Sequence, residues 1–82
     1  MAFIVYILFS ECCQKFYSGQ THDFENRLIE HNSGETKSIR SCAPWRPVWT
    51  KVVYTRLEAV ALEKKIKSRG AARFLADIGA SI

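Results

Sequence analysis

The sequence predicts an α+β domain in which a three-stranded antiparallel sheet is flanked by helices, in the order ββαβαα. The first observation is a run of β-branched and aromatic residues at positions 3–9, which is typical of a strand buried on both faces. The second is that later segments alternate between β-forming and helical patterns without an internal repeat. The third is the length of 82 residues, which suits a single domain over residues 1–82.

The first two strands are expected to form a hairpin. Residues 3–9 (FIVYILF) and residues 15–20 (KFYSGQ) have β-forming composition and are joined by a short polar segment. The first strand should be central because it is apolar on both faces. A hairpin symmetric about residues 11 and 12 would place Tyr6 opposite Tyr17, so that their rings share one face of the sheet.

A helix should follow the hairpin. Thr21 is the expected N-cap, acidic residues occupy the first turn, and the helix should run to about Asn32 and end at the Ser33-Gly34 pair. Helical spacing places Arg27 beside a stripe that is expected to be buried. The members of that stripe are Phe24, Leu28 and His31.

Residues 33–46 are predicted to form a long basic loop of the kind that contacts ligands. Trp45, in this loop, is a candidate for stacking on a nucleic-acid base. The third strand is expected over residues 47–55, with Pro47 at its first position, where no ladder hydrogen bond is lost. Trp49, within the strand, is expected in the core.

Two helices should complete the chain, over residues 56–68 and 71–78, with Gly70 between them. Glu63 lies at the edge of the apolar stripe of the first of these helices. Because Lys67 follows it by one turn, a plain surface ion pair is an alternative to a functional role for Glu63. The apolar stripe consists of Ala59, Leu62 and Ile66.

Charge is distributed unevenly along the chain. Residues 1–36 carry two basic and five acidic groups, whereas residues 37–82 carry ten basic and three acidic groups. A basic half of this kind favours a polyanionic partner, with nucleic acid first and an acidic membrane surface second, although a solvated surface is the other interpretation.

Composition also bears on the compartment. The longest apolar run has eight residues, against roughly 18 to 20 needed to cross a bilayer, and no basic residue precedes it as in a signal peptide. Three cysteines, of which Cys12 and Cys13 are adjacent and Cys42 is remote, make a poor disulfide framework. We therefore expect reduced thiols, a cytoplasmic location and no membrane partner. The cysteines and histidines also lack the spacing of a zinc site.

Five polar residues distributed along the chain are of types that suit phosphodiester hydrolysis. A carboxylate can hold Mg²⁺ or Mn²⁺ together with substrate phosphate. A guanidinium can bind phosphate oxygens and offset the charge that develops in the transition state. A phenol near the attacking water can accept or relay its proton. The candidates are Tyr6, Tyr17, Arg27, His31 and Glu63.

The sequence resembles the GIY-YIG nucleases, most closely the small single-domain branch related to the excision-repair incision subunit and the structure-specific endonuclease subunits. The resemblance rests on Val5-Tyr6-Ile7, on Tyr17-Ser18-Gly19, on Arg27 in DFENRL, and on HNSG at residues 31–34. Pro44-Trp45 and Glu63 in EAVALEKKIK complete it. The chain departs from the family pattern at Ser18, at Gln20, where many members have lysine, and at Ser38-Ile39.

The resemblance implies roles for five residues. Tyr6 would be the general base or the group that orients water, and Tyr17 would share that role. Arg27 would bind the scissile phosphate, and His31 would contact phosphate or tune Tyr6. Glu63 would be the protein ligand of a single divalent metal, Mg²⁺ or Mn²⁺.

The implied substrate is DNA, with branched or damaged DNA as the candidate forms. A protein partner is one candidate source of specificity because the chain has no room for a separate recognition domain. The expected substrate contacts are Gly19, Gln20, Lys37, Arg40, Trp45 and Lys67. Two rival classes stay open: a nucleic-acid-binding module without turnover, and an interaction protein without a nucleic-acid role. DNA cleavage, binding without cleavage, and absence of salt-dependent DNA binding would distinguish the three.

Overall fold

The structure, a computed structural model, describes residues 2–34 and 40–79, with the backbone but not the side chain of Arg40. Its elements follow the predicted order ββαβαα, and the predicted α+β fold is confirmed. The elements are β1 (Phe3–Ser10), β2 (Lys15–Thr21), α1 (Phe24–Ser33), a 3-10 turn (Arg40–Cys42), β3 (Trp45–Val53), α2 (Arg56–Arg69) and α3 (Ala71–Asp77).

The central position of β1 explains its nearly continuous apolar sequence. The antiparallel sheet has the order β2-β1-β3, so that β1 pairs on both sides. On one face, Val5 and Ile7 pack against residues of α2 and α3. On the other, Tyr6 and Leu8 pack near residues of α1. Because both faces are covered, β1 carries apolar side chains at successive positions rather than alternating with polar ones.

The register of the hairpin differs from the predicted one. Tyr6 pairs with Gly19, and Tyr17 pairs with Leu8, so the expected Tyr6–Tyr17 pairing is wrong. The four-residue turn between Ser10 and Lys15 moves the pairing by two positions. Since side chains alternate with a period of two along a strand, this shift keeps both tyrosines on the same face of the sheet.

Helix α1 begins later than predicted. Thr21 is the last residue of β2 and pairs with Ile4, so its backbone is extended. Asp23 is the N-cap instead, and its carboxylate accepts a hydrogen bond from the Asn26 amide at 3.2 Å. The predicted end is confirmed, because Gly34 has φ of 87° and terminates the helix in the left-handed region.

Strand β3 starts two residues before Pro47 and ends at Val53. Pro47 is therefore inside the strand, beside a shift in register between Ile7 and Leu8. An edge strand tolerates proline at such a bulge because a ladder hydrogen bond is already missing there. Thr55, predicted as the last strand residue, caps α2 by accepting from the Glu58 amide at 3.1 Å.

The predicted loop over residues 33–46 is shorter than expected. Helix α1 includes Ser33, a 3-10 turn covers Arg40–Cys42, and β3 begins at Trp45. Lys37 and Ser38-Ile39 lie outside the described residues.

The cysteines are not all reduced, contrary to the prediction. Cys13 and Cys42 form a disulfide across a sequence separation of 29, and Cys12 is a free, exposed thiol. Sequence spacing missed the pair because the hairpin turn and the 3-10 turn meet only in the folded chain. The predicted cytoplasmic location stays a prediction, and no helix in the described part of the chain is long and apolar enough to cross a membrane.

Candidate active site

Tyr6 occupies the centre of a polar cluster beneath α1. Its side chain is 1% exposed, and its hydroxyl lies 3.0 Å from Nε2 of His31. Its ring packs against Phe24, with 5.3 Å between the ring centroids. Because Phe24 and His31 lie on the inner face of α1, the helix periodicity predicted from the sequence aligns the imidazole with the phenol.

The absence of a side chain at Gly19 determines the path of the Tyr6 ring. A Cβ atom built on Gly19 would lie 2.6 Å from the Tyr6 hydroxyl oxygen and 2.8 Å from Cζ. The ring therefore lies across the backbone of β2, directly over its pairing partner. Gly19, an expected substrate contact, here allows the close approach of the tyrosine ring.

His31 is the buried imidazole of the cluster and is 0% exposed. Burial lowers its pKa below the ordinary value of 6.5, and the nearby Arg27 guanidinium lowers it further, against an opposing contribution from Glu30. His31 is consequently neutral at pH 7 and can use one ring nitrogen as a hydrogen-bond acceptor.

Arg27 lies one helical turn before His31 and is exposed at the surface of the cluster. Its guanidinium interacts with the Tyr6 hydroxyl, and this interaction raises the pKa of Arg27. Glu30 is its ion-pair partner at 3.7 Å. An arginine has only donors, so the Tyr6 oxygen accepts from Arg27 and its own proton remains available to Nε2 of His31.

The pKa of Tyr6 is raised above 10.0, chiefly because the phenol is buried. Arg27 acts in the opposite direction, while the charges of Tyr17 and Glu63 raise the pKa further. Tyr6 is therefore protonated at neutral pH. A buried, protonated phenol between a guanidinium and a neutral imidazole can pass a proton on, but it does not start as a phenolate.

Glu63 projects from α2 and is the acidic residue of the cluster. Its side chain is 21% exposed. Its carboxylate forms an ion pair with Lys67, with 3.0 Å between Oε2 and Nζ. The predicted surface ion pair thus exists. Its carboxylate also contributes to the raised pKa of Tyr6, so it lies within electrostatic reach of the phenol. Helix α2 packs along β1 and β2, on the sheet face of Val5 and Ile7, whereas the Tyr6 ring lies on the face covered by α1.

Tyr17 lies on the same face of the sheet as Tyr6 and is half-buried. Its ring meets His31 edge-on, with 5.1 Å between the centroids, and lies 6.1 Å from the Trp45 ring. Tyr17 therefore packs against one side of the buried His31 ring. Tyr6, Tyr17, Arg27 and His31, from β1, β2 and α1, interact in this cluster, and Glu63 of α2 is its fifth candidate through its electrostatic effect on the pKa of Tyr6.

The donor set fits a hydrated magnesium or manganese ion. Within residues 2–34 and 40–79, no three His, Cys, Asp or Glu side chains form a metal-binding group. Glu63 offers a single carboxylate that is partly open to solvent. Mg²⁺ keeps several waters and is held by one or two carboxylates together with substrate phosphates, and Mn²⁺ likewise prefers oxygen ligands. Glu63 would hold such an ion in exchange for its contact with Lys67.

The predicted substrate contacts have different positions in the structure. Gln20 lies at the end of β2 and its Oε1 is buried without a hydrogen-bond partner among the described residues. Lys67 is exposed and contacts Glu63. Trp45 is 4% exposed and packs in the core, so its predicted place in an open loop is wrong. Lys37 and the side chain of Arg40 are outside the described residues.

Sequence reasoning missed the part that Asn32 has in positioning this cluster. Its side-chain amide donates to the Trp45 carbonyl at 3.1 Å and accepts from the Trp45 backbone N–H at 2.5 Å. These two bonds tie the last turn of α1 to the first residue of β3. The signal was a polar residue next to a buried histidine, but its partner is 13 residues away along the chain.

Comparison with known proteins identifies the family of the chain. The family model described as the GIY-YIG catalytic domain matches residues 2–74. The chain therefore belongs to the GIY-YIG family, a family of nuclease domains.

Two similar proteins are UPF0213 proteins. An UPF0213 protein from Haloquadratum walsbyi is 38% identical over 65 residues, which cover 77% of this chain and 73% of that protein. The solution NMR structure of an UPF0213 protein from Bacillus halodurans matches with a TM-score of 0.60 and 29% identity, covering 96% of this chain and 84% of that one.

Proposed function

We propose that the protein is a metal-dependent endonuclease that hydrolyses DNA phosphodiester bonds. The observation that carries the proposal is the position of the Tyr6 hydroxyl, which lies 3.0 Å from His31 and interacts with both Arg27 and the charge of Glu63. These residues come from β1, α1 and α2, and together they would supply an acceptor of protons, a phosphate-binding cation and a carboxylate for the reaction.

Tyr6 would act as a proton relay. When water attacks the phosphorus, its proton passes to the Tyr6 oxygen while the phenol proton moves to Nε2 of His31, and the P–O bond to the leaving oxygen breaks with its electron pair. The leaving oxygen then takes a proton from solvent, and the His31 imidazolium loses one to solvent. The raised pKa of Tyr6 supports a relay over a phenolate base, since no phenolate exists at neutral pH. The lowered pKa of His31 supports its acting as the acceptor, because the imidazole begins neutral.

Arg27 would bind a non-bridging oxygen of the scissile phosphate and offset the charge that accumulates there. Its exposed guanidinium is accessible to a bound strand. A divalent ion held by Glu63 would supply Lewis-acid stabilisation of the phosphate and of the leaving oxygen. That ion would replace Lys67, whose ammonium is paired with the Glu63 carboxylate at 3.0 Å.

DNA is the substrate class that the family implies. Branched or damaged DNA, and a role in repair, fit a small domain that has to recognise shape or to depend on a partner protein. The uneven charge of the chain, with ten basic groups in residues 37–82, supports a backbone-binding surface.

The test is cleavage of supercoiled, branched and flap DNA with Mg²⁺ and with EDTA. Glu63→Gln is expected to abolish cleavage, and Tyr6→Phe to reduce it by about 10²- to 10⁴-fold, the usual value of a positioned proton-transfer group. The matched controls are Glu58→Gln on the same helix and Tyr54→Phe, whose side chain is exposed. Both controls should cleave at the wild-type rate.

Unchanged cleavage by the Glu63→Gln variant would contradict the proposal. DNA binding by the wild-type protein without any EDTA-sensitive nicking would favour the alternative, a nucleic-acid-binding module on the same scaffold. Ser18 and Gln20, which depart from the family pattern, are the observations that keep this alternative in view.

A further inference from the structure

A cationic cavity lies beside the cluster, on the side where α1 and α2 begin. It has a volume of about 200 Å³ and is lined by Phe3, Gln20, Thr21, His22, Arg27 and Arg56. Arg27, the proposed ligand of the scissile phosphate, forms one wall, and Arg56 forms another. The cavity therefore adjoins the position at which the strand would be cut.

Arg56 is held in this wall by the ring of Phe3, since its guanidinium carbon lies 5.1 Å from the ring centroid. Stacking on an aromatic face leaves the N–H groups at the guanidinium edge free to donate. Within the described residues no carboxylate lies within 4.0 Å of Arg56. A restrained guanidinium without an acidic partner is suited to bind an anion.

One carboxylate at each of the two adjoining helix starts is used in capping. Asp23 accepts from the Asn26 amide at 3.2 Å, and Glu58 accepts from the Thr55 hydroxyl at 3.1 Å. The Thr21 hydroxyl donates a hydrogen bond to the Asp23 carbonyl and accepts one from the Asp23 backbone N–H. Arg27, Arg56 and His22 are consequently the cationic or titratable side chains of the cavity, and Arg27 alone of these has an ion pair in the described residues.

We infer that this cavity binds a second backbone phosphate of the nucleic-acid strand, next to the one held by Arg27, and that Arg56 is its principal ligand. The inference rests on the proposed function for the identity of the strand. It assigns to Arg56 and His22 a part in positioning the substrate along the enzyme, which the five residues of the cluster do not provide. Two guanidiniums lining one cavity match the repeated charge of a phosphodiester chain.

Binding of a short DNA duplex is measured in EDTA over a range of salt concentrations, so that no cleavage occurs. Arg56→Gln should weaken binding about tenfold at low salt and lower the slope of log affinity against log salt by about 1, as expected for one lost phosphate contact. Arg56→Lys retains the charge and should retain most of the slope. The control Arg73→Gln removes the same charge from exposed α3, outside the cavity.

A slope for Arg56→Gln equal to that of the wild-type protein, or equal to that of Arg73→Gln, would overturn the inference. Thermal unfolding of each variant shows whether the fold is intact, and Arg56→Lys keeps the test valid if Arg56→Gln is unstable. With Mg²⁺, Arg56→Gln should raise KM and leave kcat near the wild-type value. If the wild-type protein cleaves DNA but Arg56→Gln changes neither the salt slope nor KM, this site alone is rejected. If Arg56→Gln changes the salt slope but the wild-type protein does not cleave DNA, the nuclease proposal alone is rejected.

Discussion

The chemistry of single residues in this protein depends on burial. His31 and Tyr6 are 0% and 1% exposed, and each is kept in its uncharged form by its surroundings. Arg27 and Glu63 carry the charges and are more open to solvent. The buried neutral residues Tyr6 and His31 are suited to transfer a proton. The more open charged residues Arg27 and Glu63 are suited to contact a phosphate and a cation.

The buried imidazole should make stability depend on pH. The folded-state pKa of His31 is below the 6.5 of an ordinary imidazole, so the unfolded chain takes up the proton first as the pH falls. The stabilising contribution is present in full above pH 6.5 and is lost as the pH falls from there through the folded-state pKa. Urea unfolding at pH 7.5 and at pH 5 should give a lower free energy of unfolding at the lower pH.

His31→Gln should flatten this dependence, because the variant has no group with a shifted pKa at that position. His22→Gln is the control, since His22 is exposed, and it should retain the wild-type dependence. A His31→Gln variant with the same loss of stability between the two pH values would contradict this account.

At the scale of elements, the site depends on how β2 accommodates the Tyr6 ring. The pairing of Tyr6 with Gly19 places the phenol over bare backbone, and α1 covers it from above with Phe24. Gly19, the glycine of the Tyr17-Ser18-Gly19 motif, is thus required by packing within the sheet. The strand and the helix together fix the hydroxyl against His31.

Gly19→Ala should displace the Tyr6 ring, because the added Cβ would lie 2.6 Å from its hydroxyl oxygen. We expect a loss of about 1 to 3 kcal/mol in the free energy of unfolding, as for overpacking, together with a fall in cleavage. Lys15→Ala, at an exposed position of the same strand, is the control and should change stability by less than about 0.5 kcal/mol.

Urea denaturation gives the stability of both variants, and near-ultraviolet circular dichroism reports the tyrosine environment. Wild-type stability and an unchanged spectrum for Gly19→Ala would mean that the ring is not confined by β2 as described.

At the scale of the whole molecule, the disulfide joins the hairpin turn to the 3-10 turn before β3. Closing a loop with a sequence separation of 29 should stabilise the fold by about 3 to 4 kcal/mol through the entropy of the unfolded chain. Reduction of the wild-type protein and the variant Cys42→Ser should each lower the free energy of unfolding by about this amount. Cys12→Ser should leave it nearly unchanged under oxidising conditions, because Cys12 is the free thiol.

An equal loss of stability in the Cys12→Ser variant would indicate that Cys12 takes part in the bond. Mass mapping of the intact oxidised protein identifies the linked pair directly.

Local periodicity was enough to predict most of the fold. The stripe of Phe24, Leu28 and His31 and the stripe of Ala59, Leu62 and Ile66 express the 3.6-residue repeat of a helix, which depends only on backbone geometry. The continuous apolar run of β1 indicates a strand that is buried on both faces. The predictions failed where a distant partner decided the outcome. Thr21 continues a strand because Ile4 pairs with it, and Pro47 is inside β3 because a bulge beside β1 admits it.

The sequence by itself determined the order of elements, the buried stripes and the residue types suited to phosphodiester chemistry, since these follow from composition and spacing along the chain. Only the tertiary structure decided that Tyr6 lies over Gly19, that Cys13 reaches Cys42, and that Arg56 shares a cavity with Arg27. The physical reason is that register, helix packing and close approach depend on contacts between residues far apart in sequence, which local patterns do not encode.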